Sequence, residues 1–235
     1  MTPLRPLALL TAAIALSACG QSDKAFDARV HAYLLSHPEV VQEAINKLQD
    51  KQQAQAASDT KRLIEQDRAA LERDPRDYVA NPNGKITLTE FYDYRCPHCV
   101  NIAPGVLGLI RSDPDVRVVF KEFPIFGALS EKAAAGAIAV KQAGGDYQGV
   151  YHDFMGARPL DEAAIDQILK SRGVDPASLD QPKLKDAAAQ QMRDVRALAI
   201  ALGIEGTPAF VIGDTLIPGE DLDAIKAAIQ TARKG

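Results

Sequence analysis

Residues 86–99 read ITLTEFYDYRCPHC, an apolar strand pattern that leads into the C-x-x-C pair Cys96 and Cys99. The residues after Cys96 follow a helical pattern, so Cys96 is predicted to lie at the N-terminus of a helix. Unpaired backbone N–H groups and the helix macrodipole favour negative charge at that position. We therefore expect the Cys96 thiol to ionise at a lower pH than a free cysteine and to belong to a disulfide that opens and closes.

Two less reactive uses of the C-x-x-C pair stay open. A disulfide across so short a loop constrains the unfolded chain little, which disfavours a purely structural bond. A structural zinc site usually has four protein ligands. Here His98 lies between the cysteines, and no second C-x-x-C or H-x-x-x-H follows in the sequence. The pattern favours redox chemistry over both alternatives.

The start of the chain predicts export. Arg5 supplies a positive charge, and residues 7–18 form an apolar run of twelve that ends at Leu16–Cys19 (LSAC). Such a run is too short to span a bilayer and is typical of a secretory signal, which we assign to residues 1–18. LSAC resembles the bacterial lipobox, so Cys19 is predicted to carry the lipid of a lipoprotein. Simple secretion is the alternative.

Charge and composition limit the compartment and the classes of partner that the protein can have. If Cys19 is acylated, the two remaining thiols belong to the motif and work in an oxidising space outside the cytoplasm. The net charge of −4 and the pI near 5.6 give no electrostatic footprint for nucleic acid. We expect membrane attachment through the lipid alone. Gly20 after the cysteine resembles lipoproteins of the outer membrane, so the periplasmic side of that membrane is the expected location.

Residues 19–80 are predicted to be a helical region with a linker, because residues 24–75 contain no glycine and are rich in helix-forming residues. Short apolar faces at Phe26–Leu34 and Val41–Leu48 are too small to form a core alone. They are expected to pack on the rest of the protein or on copies of themselves. Residues 49–62 have no apolar side chain larger than alanine, which indicates either a solvated helix or a flexible connector.

Residues 81–235 are predicted to form an α/β domain. Asn81–Gly84 (NPNG) is a strong turn signal at its start. The pattern then indicates a strand, a helix and a strand, followed by a helical insertion at about residues 128–203. Two hairpin strands and a terminal helix complete the domain. This order is typical of a thioredoxin fold with a helical insertion.

Residues 85–235 resemble the DsbA-type family of thioredoxin-fold thiol–disulfide oxidoreductases. Cys96–Cys99 (CPHC) is the active-site tetrapeptide of that family, and Thr207-Pro208 matches the Thr/Val–cis-Pro pair beside the site. Without the resemblance, Pro208 would be interpreted as an ordinary proline at a strand edge. The N-terminal stretch Tyr33–Val40 (YLLSHPEV) is similar to the oligomerisation region of ScsC-like, copper-tolerance-associated members. The chain departs from the family in lacking tryptophan and in its less apolar approach to Cys96.

The resemblance assigns roles within the tetrapeptide. Cys96 is implied to be the exposed nucleophile and Cys99 the resolving thiol. His98 is implied to stabilise the Cys96 thiolate, with an exposed polar residue of no special role as the alternative. Pro97 shapes the turn, and its missing N–H would be unpaired at that position in any case. Thr207 and Pro208 are implied to bind the substrate chain in an extended conformation through backbone groups, which predicts broad substrate preference.

Glu90, six residues before Cys96, occupies the place of the buried acid in DsbA-like proteins. There it could relay the proton of Cys99, and burial would raise its pKa. Lys121 on the next strand is a candidate partner for this carboxyl. The alternative is a strand residue that faces solvent.

The resemblance further implies the partners. Protein thiols and disulfides are the expected substrates, and a membrane redox protein is expected to reoxidise or reduce the site. No cofactor is expected beyond the Cys96–Cys99 disulfide, and the motif does not separate oxidase from isomerase. The ScsC-like region implies a homotrimer, with a monomer as the alternative. The other function class is Cu(I) sequestration by the two thiolates. After the predicted signal peptide the sequence has only two methionines, Met155 and Met192, which are too few for a copper-binding tract.

Overall fold

The structure, a computed structural model, describes residues 19–234, with side chains from Lys24 onward. The predicted signal peptide, residues 1–18, lies outside the described residues. The helices are α1 (Cys19–Ser36), α2 (Pro38–Glu72), α3 (Pro97–Ser112), α4 (Ala128–Gln142), α5 (Tyr147–Gly156), α6 (Glu162–Ser171), α7 (Pro182–Ala201) and α8 (Leu222–Ala232), with a 3₁₀ turn at Pro176–Asp180. The strands are β1 (Tyr78–Ala80), β2 (Ile86–Tyr92), β3 (Val116–Glu122), β4 (Ala209–Ile212) and β5 (Thr215–Pro218).

The chain divides into two compact units at residue 57. The first unit contains α1 and the beginning of α2, which has Pro38 as its first residue, a position that proline favours in helices. Large apolar side chains of this unit are exposed: Phe26, Val30, Tyr33, Leu35, Val41, Ile45 and Leu48. Among residues 24–56, the part of this unit whose side chains are described, no apolar core is formed. In residues 19–234 no helix is long and apolar enough to cross a membrane.

The second unit is built on a five-stranded sheet with the order β1-β3-β2-β4-β5. Strands β2 and β3 are parallel, and the other neighbours are antiparallel. β2 and β3 are rich in β-branched and aromatic residues and are buried almost throughout, as expected of central strands covered on both faces. The helices α4 to α7 come between β3 and β4 in the chain. The predicted thioredoxin fold with a helical insertion is confirmed.

Alternate residues of the strands belong to two apolar clusters. Leu88 and Tyr92 of β2 join the larger cluster with residues of α3, α4, α5, α6 and α8, whereas Phe91 joins a smaller one with α7. Ile64 and Leu71 of α2 are fully buried in the smaller cluster. The compact unit thus begins before the predicted boundary at residue 81, because these two side chains and β1 belong to it.

The turn before β2 is formed by the predicted NPNG residues. Asn81 has a positive φ of 49°, a conformation that asparagine tolerates. Its Nδ2 donates hydrogen bonds to the carbonyl oxygens of Ile110 and Val116, at 2.9 and 3.1 Å. A Cβ on Gly84 would lie 2.7 Å from the backbone nitrogen of Arg117, so only glycine fits there. This turn fixes where β2 starts, and β2 leads to the cysteine pair.

Candidate active site

Cys96 lies at the point where the strand β2 gives way to the helix α3. It is the N-cap residue of α3 and has an extended backbone, with Pro97 at the first helical position. Its N–H donates to the carbonyl oxygen of Asp93 at 3.1 Å. The predicted helix-start position of Cys96 is therefore confirmed. The predicted exposure of Cys96 is not confirmed: the residue is only 2% exposed, because the segment around Thr207 covers it, and the Thr207 carbonyl oxygen lies 3.2 Å from its Sγ.

The two thiols have opposite electrostatic surroundings. A hydrogen bond from the Cys99 thiol, helped by the backbone N–H groups of His98 and Cys99, lowers the pKa of Cys96 to about 5, although burial opposes this shift. Burial raises the pKa of Cys99 far above its ordinary value, and its hydrogen bond with Cys96 adds to the rise. In the reduced pair the negative charge therefore belongs on Cys96 and the proton on Cys99.

His98 is exposed, and its imidazole lies against a residue that the sequence does not single out. The His98 Nδ1 atom is 3.1 Å from Oε1 of Glu220, in the loop between β5 and α8. This contact raises the pKa of His98 and lowers the pKa of Glu220. The negative charge of Glu220 thus partly balances a positive charge beside Cys96.

The Thr207–Pro208 peptide bond is cis, as the resemblance implies. Pro208 immediately precedes β4, and its carbonyl oxygen accepts a hydrogen bond from the N–H of Gly219 at 2.8 Å. An open cavity of about 380 Å³ lies here, lined by residues such as Ile204, Thr207, Pro208, Leu216 and Gly219. The arrangement places a partly apolar groove and backbone polar groups next to Cys96. A second cis bond, Arg158–Pro159, was not expected from the sequence.

Glu90 is fully buried, so the solvent-facing alternative does not hold. The Tyr151 hydroxyl donates to its two carboxyl oxygens, at 3.1 and 3.3 Å. Burial raises the pKa of Glu90 to about 8, the Tyr151 bond opposes this rise, and the nearby Glu122 adds to it.

The predicted pairing of Glu90 with Lys121 is wrong. Glu90 is opposite Phe120 in the parallel register, so the side chain of Lys121, one residue further, points to the other face of the sheet. There Lys121 forms a buried ion pair with Asp77 and donates to the carbonyl oxygen of Ala70 in α2. Burial raises the pKa of Asp77 to about 6, although the ammonium group opposes the shift.

Sequence reasoning missed a second buried acid, Glu122. Its Oε1 atom accepts hydrogen bonds from the hydroxyls of Tyr92 at 2.7 Å, Tyr94 at 2.9 Å and Tyr147 at 2.7 Å. Burial raises the pKa of Glu122, and the three tyrosine bonds oppose the rise. The tyrosines at positions 92 and 94, which make the approach to Cys96 less apolar than in the family, were the visible signal of this group.

Asp93 is a further residue that the sequence did not indicate. Its carboxylate accepts hydrogen bonds from the backbone N–H groups of Arg95 at 2.8 Å, Ile125 at 2.7 Å and Phe126 at 2.9 Å. Asp93 thereby ties the loop after β3 to the turn that carries Cys96. The side chains of Ile125 and Phe126 are partly exposed on this loop.

A thioredoxin-type sheet, a C-x-x-C dithiol at a helix N-terminus and a cis-proline beside its first sulfur define a thioredoxin-fold dithiol protein. Residues 87–230 match the DSBA-like thioredoxin domain, and the chain belongs to this family. Residues 24–55 match the N-terminal domain of the copper resistance protein ScsC. Both resemblances predicted from the sequence are confirmed.

Relatives cover different parts of the chain. The thiol:disulfide interchange protein DsbA of Bordetella pertussis is 32% identical over 136 residues, which are 55% of this chain and 64% of the relative. The chain thus spans less than two thirds of that relative's length. Proteus mirabilis ScsC in a transitional conformation is 29% identical, with a TM-score of 0.66 over 91% of this chain and 97% of that one. A periplasmic thioredoxin-like protein from Salmonella enterica serovar Typhimurium is 30% identical, with a TM-score of 0.64 over 72% and 96%.

Within residues 19–234, no set of three or more His, Cys, Asp or Glu side chains is arranged to hold a metal ion. The cysteines at 96 and 99 are both free thiols, and they are the soft ligands of this site.

Proposed function

We propose that the protein is a periplasmic thiol–disulfide oxidoreductase that exchanges disulfides with protein substrates through Cys96 and Cys99. The observation that supports the proposal is the difference in pKa between the two thiols. Cys96 has a pKa of about 5, whereas the pKa of Cys99 is far above its ordinary value. A sulfur that is stable as a thiolate is a good leaving group, and the pair is therefore suited to oxidise dithiols.

The oxidation steps follow from this asymmetry. A substrate thiolate attacks Cys96 Sγ, the Cys96–Cys99 bond breaks, and its electron pair goes to Cys99, which takes up a proton. A second substrate thiolate then attacks the substrate sulfur of the mixed disulfide. The substrate disulfide forms, and Cys96 leaves as a thiolate. Isomerisation starts instead from the reduced pair, when the Cys96 thiolate attacks an incorrect disulfide.

The other residues of the site support these steps. Thr207 and Pro208 bind the substrate chain in an extended conformation along the groove beside Cys96. Pro97 starts the helix without an unpaired N–H, and His98 contributes positive charge near the thiolate. Glu90 exchanges a proton with Cys99, in keeping with its burial and its pKa of about 8.

The predicted signal peptide and lipobox indicate how the protein is attached to a membrane. Cys19 is lipidated and anchors the protein to the periplasmic side of the outer membrane, and a membrane redox protein resets the dithiol. In a bacterial host, intact-mass measurement should show a lipidated Cys19, and Cys19→Ala should abolish membrane partitioning. An unmodified cysteine at the mature N-terminus would contradict the anchor.

The first unit, up to residue 56, serves as an oligomerisation region for the catalytic domain, and the assembly is a trimer. Residues 57–80, which the sequence predicts as part of the linker, belong to the second compact unit. The exposed apolar side chains of the first unit and the match of residues 24–55 to the ScsC N-terminal domain support this proposal. Several active sites around one substrate raise the effective concentration of attacking thiols, which favours isomerisation. A monomer remains the alternative and would leave a simple oxidase.

The competing candidate is Cu(I) sequestration by the two thiolates, suggested by the match to a copper resistance domain. Turnover separates the two functions. The full chain, oxidised, is mixed with a reduced dithiol peptide and, reduced, with a scrambled-disulfide protein, and Cu(I) stoichiometry is measured in parallel. We expect many turnovers in a glutathione buffer and none with Cys96→Ala. Stoichiometric copper binding without turnover would overturn the oxidoreductase and support the metal carrier.

A further inference from the structure

The last part of the helix α2 belongs to the second unit, and the disulfide chemistry described above makes no use of it. Ile64 and Leu71 have no exposed surface, and both belong to the smaller apolar cluster together with residues of β4 and α7. Seven residues, or about two helical turns, separate them, so one face of α2 supplies both contacts.

The central strands bind the C-terminal carbonyl groups of α2. The Thr89 hydroxyl of β2 donates to the carbonyl oxygen of Leu71 at 3.3 Å, and the Lys121 ammonium group of β3 donates to that of Ala70 at 2.5 Å. The last carbonyl groups of a helix have no partner within the helix. These two bonds therefore satisfy the end of α2 and fix its position on the sheet.

A third set of contacts joins α2 to the turn between β4 and β5. The Nζ atom of Lys61 lies 2.9 Å from Oδ2 of Asp214, and the guanidinium group of Arg68 donates to Oδ1 of the same carboxylate. Arg68 also donates to the carbonyl oxygen of Gly213 at 3.3 Å. Lys61 and Arg68 are about two helical turns apart, so α2 holds this turn at two points.

The β4–β5 hairpin that this turn closes is also a wall of the groove beside Cys96. Pro208 immediately precedes β4, and Leu216 and Gly219 line the cavity from the β5 side. β5 is the outermost strand and pairs with β4. A four-residue strand at the edge of a sheet has ladder hydrogen bonds on one side only, so the contacts of its turn with α2 are a second attachment.

The lining of the groove also rests on the apolar cluster that α2 completes. Ile204 and Ala209 line the cavity and belong to the same cluster as Ile64 and Leu71. Leu216, which is partly buried, packs against this cluster. Close-packed interiors transmit the loss or displacement of one side chain to its neighbours. A displacement of α2 would therefore alter the shape of the groove.

We propose that residues 61–72 of α2 position the substrate groove, by holding the β4–β5 hairpin so that Thr207 and Pro208 present their backbone groups to an extended substrate chain. This inference rests on the proposed function. Lys61, Arg68 and Asp214 act through the hairpin and are positioning residues. The thiol pair is held by β2 and α3, so its reactivity toward a small reagent should not depend on these contacts.

Substrate kinetics of the full chain separate positioning from thiol reactivity. The oxidised protein is mixed with a reduced dithiol peptide, and KM and kcat are measured for wild type and Asp214→Asn. We expect KM to rise about two- to fivefold, the scale of a partly exposed ion pair, with kcat unchanged. Arg68→Gln added to Asp214→Asn should raise KM little further, because the two residues act as one contact. Asp214→Glu, which keeps the charge, should restore most of the wild-type KM.

The rate at which iodoacetamide alkylates Cys96 in the reduced protein is the second readout, and it should be the same in wild type and Asp214→Asn. Glu65→Gln is the matched control, because Glu65 is exposed on the same helix, 3.7 Å from Lys61, and should leave KM unchanged. An unchanged KM in Asp214→Asn would overturn the inference. So would a slower alkylation in this variant, since the effect would then lie at the thiol. Either result, with intact oxidation by wild type, overturns this inference alone, whereas absent oxidation by wild type overturns the proposed function.

Discussion

At the scale of single residues, the two thiols of the C-x-x-C pair have different pKa values because their surroundings differ. Cys96 receives hydrogen bonds that stabilise its charged form, and Cys99 is buried where charge is disfavoured. The same residue types in an exposed loop would both titrate near the ordinary cysteine value. Position at the helix start and burial, not the motif letters alone, make the first thiol reactive.

Glu220 offers a test of how charge around Cys96 is set. Glu220→Gln removes the anion that pairs with His98, so the positive charge of His98 acts on the Cys96 thiolate without a counter-charge. A histidine ordinarily titrates near about 6.5, above the Cys96 pKa of about 5, so His98 keeps its positive charge where Cys96 ionises even when Glu220 no longer raises its pKa. We expect the pKa of Cys96 to fall by about half a pH unit or less, since the pair is exposed to solvent.

Thiolate absorbance in the ultraviolet, followed against pH in the reduced protein, measures this shift. Burial holds the pKa of Cys99 far above its ordinary value, so only Cys96 contributes in the acid range, and Glu131→Gln serves as the charge-matched control. A rise of the Cys96 pKa in Glu220→Gln would show that the carboxylate helps the thiolate rather than opposing it.

Strand register explains which residues meet. The alternation of β2 places Glu90 and Tyr92 on one face and Phe91 on the other, and the same alternation in β3 separates Glu122 from Lys121. One face therefore contains acids and tyrosines. The other contains the Lys121–Asp77 pair, which connects β3 to the end of α2 through Ala70.

Much of this arrangement could be predicted from the sequence. The apolar run of β2, the NPNG turn and the tetrapeptide at a helix start define the core of the fold locally. The tyrosine group around Glu122 could not be predicted, because Tyr147 comes from the helical insertion and meets β3 only in the folded chain. The Glu90–Lys121 pairing failed because it depended on a register that the sequence does not specify.

Glu90, the buried acid of β2, makes the free energy of unfolding depend on pH. The pKa of Glu90 is about 8 in the folded protein and ordinary in the unfolded chain, so the folded state binds more protons between about pH 4.5 and pH 8. Stability from this group is present below that range and is lost as the pH rises through it. The loss has a limiting slope of about 1.4 kcal/mol per pH unit.

Urea unfolding of the reduced protein at a series of pH values checks this expectation. Relative to wild type, Glu90→Gln should lose less stability between pH 5 and pH 8, because its side chain does not ionise. Parallel curves for the two proteins across this range would show that Glu90 does not titrate there.

At the scale of the whole molecule, the exposed apolar side chains of the first unit bear on assembly. The first unit has seven large apolar side chains exposed along α1 and the start of α2. Ordinary solvated helices keep such residues on a covered face. A trimer in which copies of this unit pack together would cover them.

Substitution on this surface tests the trimer. In the chain started at Gln21, light scattering should give a trimer mass, and Ile45→Glu should lower it by placing a charge in the packed face. Gln42→Glu adds the same charge beside a polar contact with Asn46 and should leave the mass unchanged. A monomer mass for the unsubstituted chain at tens of micromolar would remove both the trimer and the argument for isomerisation.

Trapping of mixed disulfides decides whether Cys96 is the nucleophile that exchanges disulfides with proteins. In Cys99→Ala the resolving thiol is absent, so substrates attached to Cys96 stay bound. After expression with its leader, this variant should yield adducts with periplasmic proteins that dithiothreitol releases and that mass spectrometry maps to Cys96. The double variant Cys96→Ala/Cys99→Ala should yield none. Absence of adducts from Cys99→Ala, in a protein that is folded and exported, would contradict the proposed function.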